Sequence, residues 1–252
     1  MIDRLVARVL GLEIRLLACQ ARLKEHTDPE ALHDLRTTIR QLRSLLLPLR
    51  GLPGVEQLEA AASRVGDLTT PLRDREVLAA YLLQHQQPQA AQRRMAQMAE
   101  AYPAVAASPE LAQLLIVLDA FPRFLRAAQR QELLKGLRKR IEKRLGKQWK
   151  KLDEALHDPA HDRHRLRLLI KRVRYGIDAY PELDRLPKAA MPRLKSAQGA
   201  LGDWHDCVQW LAMAEREADL QPCVAVWKAT MAEAEQIADR VLEKLSRDCF
   251  KS

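Results

Sequence analysis

The sequence predicts an all-α fold built from two similar halves. Apolar residues recur three and four apart through nearly every segment, and strand-like alternation rich in Val, Ile and Thr is nowhere sustained. A basic pattern beginning at His33 also returns about 131 residues later. Turn residues divide the chain into helices expected over 3–25, 30–50, 54–68, 71–86, 89–101, 109–130, 132–156, 162–180, 187–200, 203–219 and 222–248. In chain order, the stops are Asp28-Pro29, Pro48, Gly51-Leu52-Pro53-Gly54, Pro71, Pro88, Pro103, Ser108-Pro109, Asp158-Pro159, Pro181, Pro187 and Pro222. Pro122 falls inside a helical pattern and is expected to kink or break it.

Composition narrows the function. The chain has 252 residues, 47% hydrophobic and 30% charged, a globular composition with no apolar run long enough to span a bilayer. Arg4, Arg8, Arg15 and Arg22 interrupt the amino-terminal segment, and no small-residue cleavage site follows, so a cytoplasmic protein is expected. Cys19, Cys207, Cys223 and Cys249 form no CxxC pair and read as small apolar residues in a reducing compartment. A net charge of +9 favours anionic polymers or surfaces as partners. Eleven aromatic residues (4 Trp, 4 Tyr, 3 Phe) are too few for the stacking platforms of single-stranded nucleic-acid binders. Nothing resembles a phosphate loop or a dinucleotide fingerprint, and no cofactor is expected.

The internal repeat localises the charge. Residues 32–43 read LHDLRTTIRQLR and residues 163–174 read RHRLRLLIKRVR; a shift of 131 superimposes His33 on His164, Arg36 on Arg167, Arg40 on Lys171 and Arg43 on Arg174. An offset of 132 pairs Arg73-Asp74 with His205-Asp206. Two antiparallel helical bundles follow, 1–131 forming the first half with its connecting helices and 132–252 the second.

Steps of three, four and three place each basic set within an arc of roughly 80° over about 15 Å of helix, a row able to meet several phosphates in succession. Leu35, Ile39, Leu42 and Leu46, and likewise Leu166, Ile170, Val173 and Ile177, mark the opposite, core-facing side. Like charges three and four residues apart repel by a few tenths of a kcal/mol per pair, about 0.2–0.5, and a bound anion would offset that cost. Arginine forks onto phosphate oxygens where lysine acts as a point charge. A solvated face is the ordinary explanation for one such row, but recurrence at the same place in both halves argues against it. A second basic helix precedes each row: residues 135–151 hold nine basic residues against one Glu, and the shift sets Lys135 over Arg4 and Lys139 over Arg8. These four are further candidate contacts.

The segments HDLRTTIRQLRSLL and HRLRLLIKRVRYGID resemble the two signature helices of the CHAD family, the conserved-histidine α-helical domain, and LGDWHD at 201–206 resembles its second-half motif. The resemblance covers essentially the whole chain. It implies two pseudo-symmetric antiparallel four-helix bundles with a basic groove between them, binding of inorganic polyphosphate, and association with polyphosphate granules. The residues implied to bind are His33, Arg36, Arg40, Arg43, His164, Arg167, Lys171 and Arg174, with Arg172 beside them. The first half departs from the pattern in two places: Gln41 stands where the repeat has Arg172, and Thr70 where it has Gly202. A triphosphatase domain, the family's common enzymatic companion, is not fused to these residues, so binding without catalysis is expected.

Two other readings compete. His157, His161 and His164 have a spacing that could serve a metal, but Pro159 and a helix start separate them, and no metal is expected. A nucleic-acid or anionic-surface scaffold would use the same charges; competition separates the two, because a duplex reader needs groove-shaped complementarity. Asp74 and Asp206 are expected to cap helix starts, and Tyr175, Trp204 and Trp210 to pack in the core or at a bundle interface.

Overall fold

The computed structural model describes residues 1–25, 27–28 and 30–250. All regular structure among them is helical, as the periodicity predicts. The helices are α1 (Ile2–Lys24), α2 (Ala31–Leu46), α3 (Val55–Gln84), α4 (Pro88–Ala106), α5 (Pro109–Arg130), α6 (Leu137–Leu156), α7 (Arg163–Ala179), α8 (Ala190–Ala214) and α9 (Val224–Cys249), with short 3-10 turns at Leu47–Leu49, Pro181–Leu183 and Ala218–Cys223. No single described helix is long and apolar enough to cross a membrane; only the bent pair α4 and α5 together reaches that length and composition. The chain divides into two compact units, Met1–Ile141 and Glu142–Ser252, with the division falling inside α6.

Punctuation by proline proved too strict. The segments expected over 54–68 and 71–86 form the single helix α3, which runs through Pro71. A proline removes one intrahelical N–H bond and crowds the carbonyl four residues back. Beside Pro71, the Thr69 hydroxyl donates to the carbonyl of Val65 (2.8 Å) and the Thr70 hydroxyl to that of Gly66 (2.8 Å), which adds bonds where the ladder is weakened. Pro103 and Pro122 likewise lie within α4 and α5; Pro122 is buried in the helix instead of ending it. The segments expected over 187–200 and 203–219 merge into α8. Asp74 and Asp206 therefore sit in the middle of long helices, where no free backbone N–H awaits a cap, and the capping expectation fails for both. Asp162 does cap, accepting from the backbone N–H of Arg165 (3.0 Å) at the start of α7. In contrast, α6 begins at Leu137 and not near 132, because Glu132 and Gly136 adopt positive φ (59° and 70°), which a right-handed helix cannot contain.

In the first unit, α1 buries Leu5, Val9, Leu12, Leu16, Cys19 and Leu23, the three-and-four spacing of a core face, and packs against α2, α4 and α5. Leu35, Ile39, Leu42 and Leu46 of α2 are at most 2% exposed. The second unit's core joins Leu152 and Ala155 of α6 to Leu166, Ile170, Val173 and Ile177 of α7, to the alanine-rich face of α8 and to Ala238, Leu242 and Leu245 of α9. Gly176 permits the α6–α7 approach: a Cβ there would stand 2.9 Å from Leu145 Cδ2. Both core seams expected from the sequence are thus buried, and each leaves its basic row on the other side.

Candidate functional site

In the first unit the basic row lies on α2, with His33, Arg36 and Arg40 half-buried and Arg43 exposed. Arg36 Nη1 donates to the Gly66 carbonyl (3.1 Å), Thr69 Oγ1 (2.9 Å) and Thr70 Oγ1 (3.0 Å), all on α3. Burial lowers its pKa below the usual guanidinium value, though not enough to discharge an arginine at any ordinary pH. Arg43 Nη1 comes within 3.6 Å of where a Cβ on Gly66 would stand, so Gly66 accommodates two arginines of the row. His33 Nε2 faces Thr37 Oγ1 (3.5 Å), which accepts from Arg40 Nη2 (3.1 Å). Two residues beyond Pro71, Arg73 Nη1 pairs with Glu76 (2.8 Å), whose other oxygen accepts from the Tyr102 hydroxyl. Burial, and then that bond, push the Tyr102 phenol well above its ordinary range.

In the second unit the row lies on α7: His164 is exposed, while Arg167, Lys171 and Arg174 are half-buried. Arg174 Nε donates to Gln198 Oε1 (2.8 Å), and its guanidinium lies 4.7 Å above the Tyr175 ring. The imidazoles of His164 and His205 approach to 5.8 Å between centroids, which brings α8 into the site. His205 is half-buried, and its pKa falls to about 4, first because burial disfavours the imidazolium and then because Arg167, His164 and Lys171 add positive charge. His205 is not among the binding residues expected from the sequence; its alignment with Arg73, basic residue on basic residue, is the signal that points to it.

The remaining candidates lie on α1, on α7 and at the start of α6. Arg4 is exposed and Arg8 half-buried on α1; Lys139 and Arg172 are exposed on α6 and α7. Lys135 lies in the turn before α6 and pairs with Glu132 (2.6 Å). Arg15 of α1 reaches Gln41 of α2 (3.1 Å), the position where the repeat carries Arg172. The three spaced histidines diverge: His157 meets Asp153 and Ser246, His161 meets Asp239, and His164 faces His205. No group of three potential metal ligands occurs among the described residues. Trp210 is buried, whereas Trp204 is half-buried and donates to Glu235 (3.2 Å).

A family model described as the CHAD domain matches residues 13–215. The crystal structure of the CHAD domain from the plant Ricinus communis superimposes with a TM-score of 0.71 at 22% identity, covering 98% of this chain and 90% of that one. At that identity the likeness shows a shared fold. No curated protein matches the chain.

Proposed function

We propose, from the premise that the chain belongs to the CHAD domain family, that it binds inorganic polyphosphate on the basic faces of α2 and α7 and performs no catalysis of its own. The same reading takes the two units as pseudo-symmetric bundles descended from one duplication, and it assigns polyphosphate granules as the place of action. The observation that supports it most is the pair of basic rows. Each is backed by a buried apolar seam and kept at a protein surface, with arginines held by neighbouring side chains or carbonyls and not by solvent alone. Such rows suit a ligand that repeats its charge at short intervals, because each added phosphate engages a polymer already held at high effective concentration. Long polyphosphate is therefore expected to bind far more tightly than orthophosphate, and affinity should fall steeply with salt.

The test is a comparison of long-chain polyphosphate, duplex DNA and RNA in one buffer across a salt series. Polyphosphate should bind tightest. Equal affinity for DNA of matched charge would replace this reading with that of a nucleic-acid or anionic-surface scaffold.

A further inference from the structure

We propose that His205 of α8 is an anion contact of the second basic face and takes up a proton as polyphosphate arrives, so that this face holds its ligand more tightly in mildly acidic solution. The inference rests on the polyphosphate reading and adds a regulation to it. His205 stands where α8 meets the basic row of α7, with its ring 5.8 Å from that of His164 and within electrostatic reach of Arg167 and Lys171. On its own helix, Trp204 lies 6.3 Å away between ring centroids and Asp206 follows in sequence; on α9, Glu235 faces the same region and accepts the Trp204 indole N–H.

The free protein keeps this imidazole neutral at pH 7, its pKa being held down to about 4. A polyanion seated on Arg167 and Lys171 would neutralise two of the charges that oppose protonation and add negative charge of its own, which favours the imidazolium. The proton comes from solvent, no bond is made or broken, and the new N–H donates to a phosphate oxygen. The sign follows from linkage: a group whose pKa is higher in the complex than in the free protein strengthens binding as pH falls below its value in the complex, and the gain is complete below about 4. The non-terminal phosphates of a long polymer carry a single strongly acidic hydroxyl each, so they keep their charge throughout this window. A tightening would thus report the protein.

The full chain would be titrated with long-chain polyphosphate at pH 7.5 and 5.5, with calorimetry in two buffers of different ionisation enthalpy to count protons. Wild type should take up protons on binding and tighten by about tenfold, within the limit of tenfold per pH unit for one proton. His205→Gln should flatten most of that slope. Should that variant fail to fold, the His205 ring signal in the wild type, followed by NMR, must show its titration midpoint rising when polymer is added. Strong binding that does not change with pH, or a slope retained by His205→Gln and lost in His33→Gln or His164→Gln, would overturn the inference and leave polyphosphate binding standing. No binding at either pH would remove the functional reading, and this inference with it.

Discussion

The basic rows on α2 and α7 share one sequence pattern but stand in different chemical surroundings. Arg36 is held by Gly66, Thr69 and Thr70 of α3. At the aligned positions of α8 stand Gln198, Leu201 and Gly202, of which the last two carry no hydroxyl. Arg73 meets a carboxylate at Glu76, while its counterpart His205 has Val208 at the matching place. The first unit holds Arg36 on a carbonyl and two hydroxyls of α3; the second holds Arg174 on Gln198 of α8 and places a neutral imidazole beside its row. A duplicated pattern preserves spacing because the core seam demands it. It does not preserve the partners, which come from another helix and are free to diverge.

Charge reversal tests whether both faces bind, and it carries the largest expected effect. A charge-assisted hydrogen bond contributes roughly 1.5–3 kcal/mol, so Arg40→Glu and Lys171→Glu should each weaken polyphosphate binding at least about tenfold. The double variant should lose about a hundredfold or more. Lys228→Glu, on an exposed position of α9, should change affinity only through general screening. Affinity by calorimetry, with circular dichroism to confirm folding, decides the matter. A double variant that binds like Lys228→Glu would show that the repeated basic pattern is not a binding site.

The pH dependence of stability separates the units next. His205 has its pKa depressed from the ordinary 6.5 to about 4, so the folded chain is stabilised relative to the unfolded one above pH 6.5 and loses that advantage progressively as pH falls toward 4. The melting temperature should drop across that window, and His205→Gln should drop less. Equal losses in wild type and variant, read by calorimetric scanning, would show that carboxylates dominate the acid response.

Both rows were legible in the sequence, because spacing on one helix is local and recurrence excludes accident. The fold class was legible for the same reason. The acceptors of Arg36 were not: Thr69 and Thr70 lie more than thirty residues away, beside a proline that reads as a stop. Helix α3 survives Pro71 because neighbouring side chains supply bonds near the lost one, and no periodicity encodes that compensation. His205 was missed because its role depends on α8 lying against α7.

Arg36→Ala probes the internal fixing of the first face. The three acceptors keep other partners, since the threonine hydroxyls also bond to backbone carbonyls, so the loss should sit at the low end for a charged donor, about 1–1.5 kcal/mol. In a chain of this size that is a fall of roughly 2–6 °C in melting temperature. A variant melting like wild type would mean that Arg36 is held by α3 without stabilising it.

The smallest effect comes from transplanting one unit's chemistry into the other. Val208 follows His205 by three residues, as Glu76 follows Arg73, so Val208→Glu sets a carboxylate one helical turn from the imidazole. Opposite charge at that spacing favours the imidazolium, and the His205 titration midpoint should rise from about 4. The same carboxylate repels a polyanion arriving at Arg167 and Lys171. A pair at this spacing is worth about 0.2–0.5 kcal/mol, which corresponds to a loss of about twofold in polyphosphate affinity at pH 7.5. With its free-state pKa raised, His205 needs to take up less of a proton on binding, so the affinity gain between pH 7.5 and 5.5 should also shrink. The two readouts move for different reasons, and together they test the contrast between the units. A raised midpoint with unchanged affinity would place His205 beside the second face without making it part of the face; lower affinity with an unmoved midpoint would assign the loss to repulsion alone.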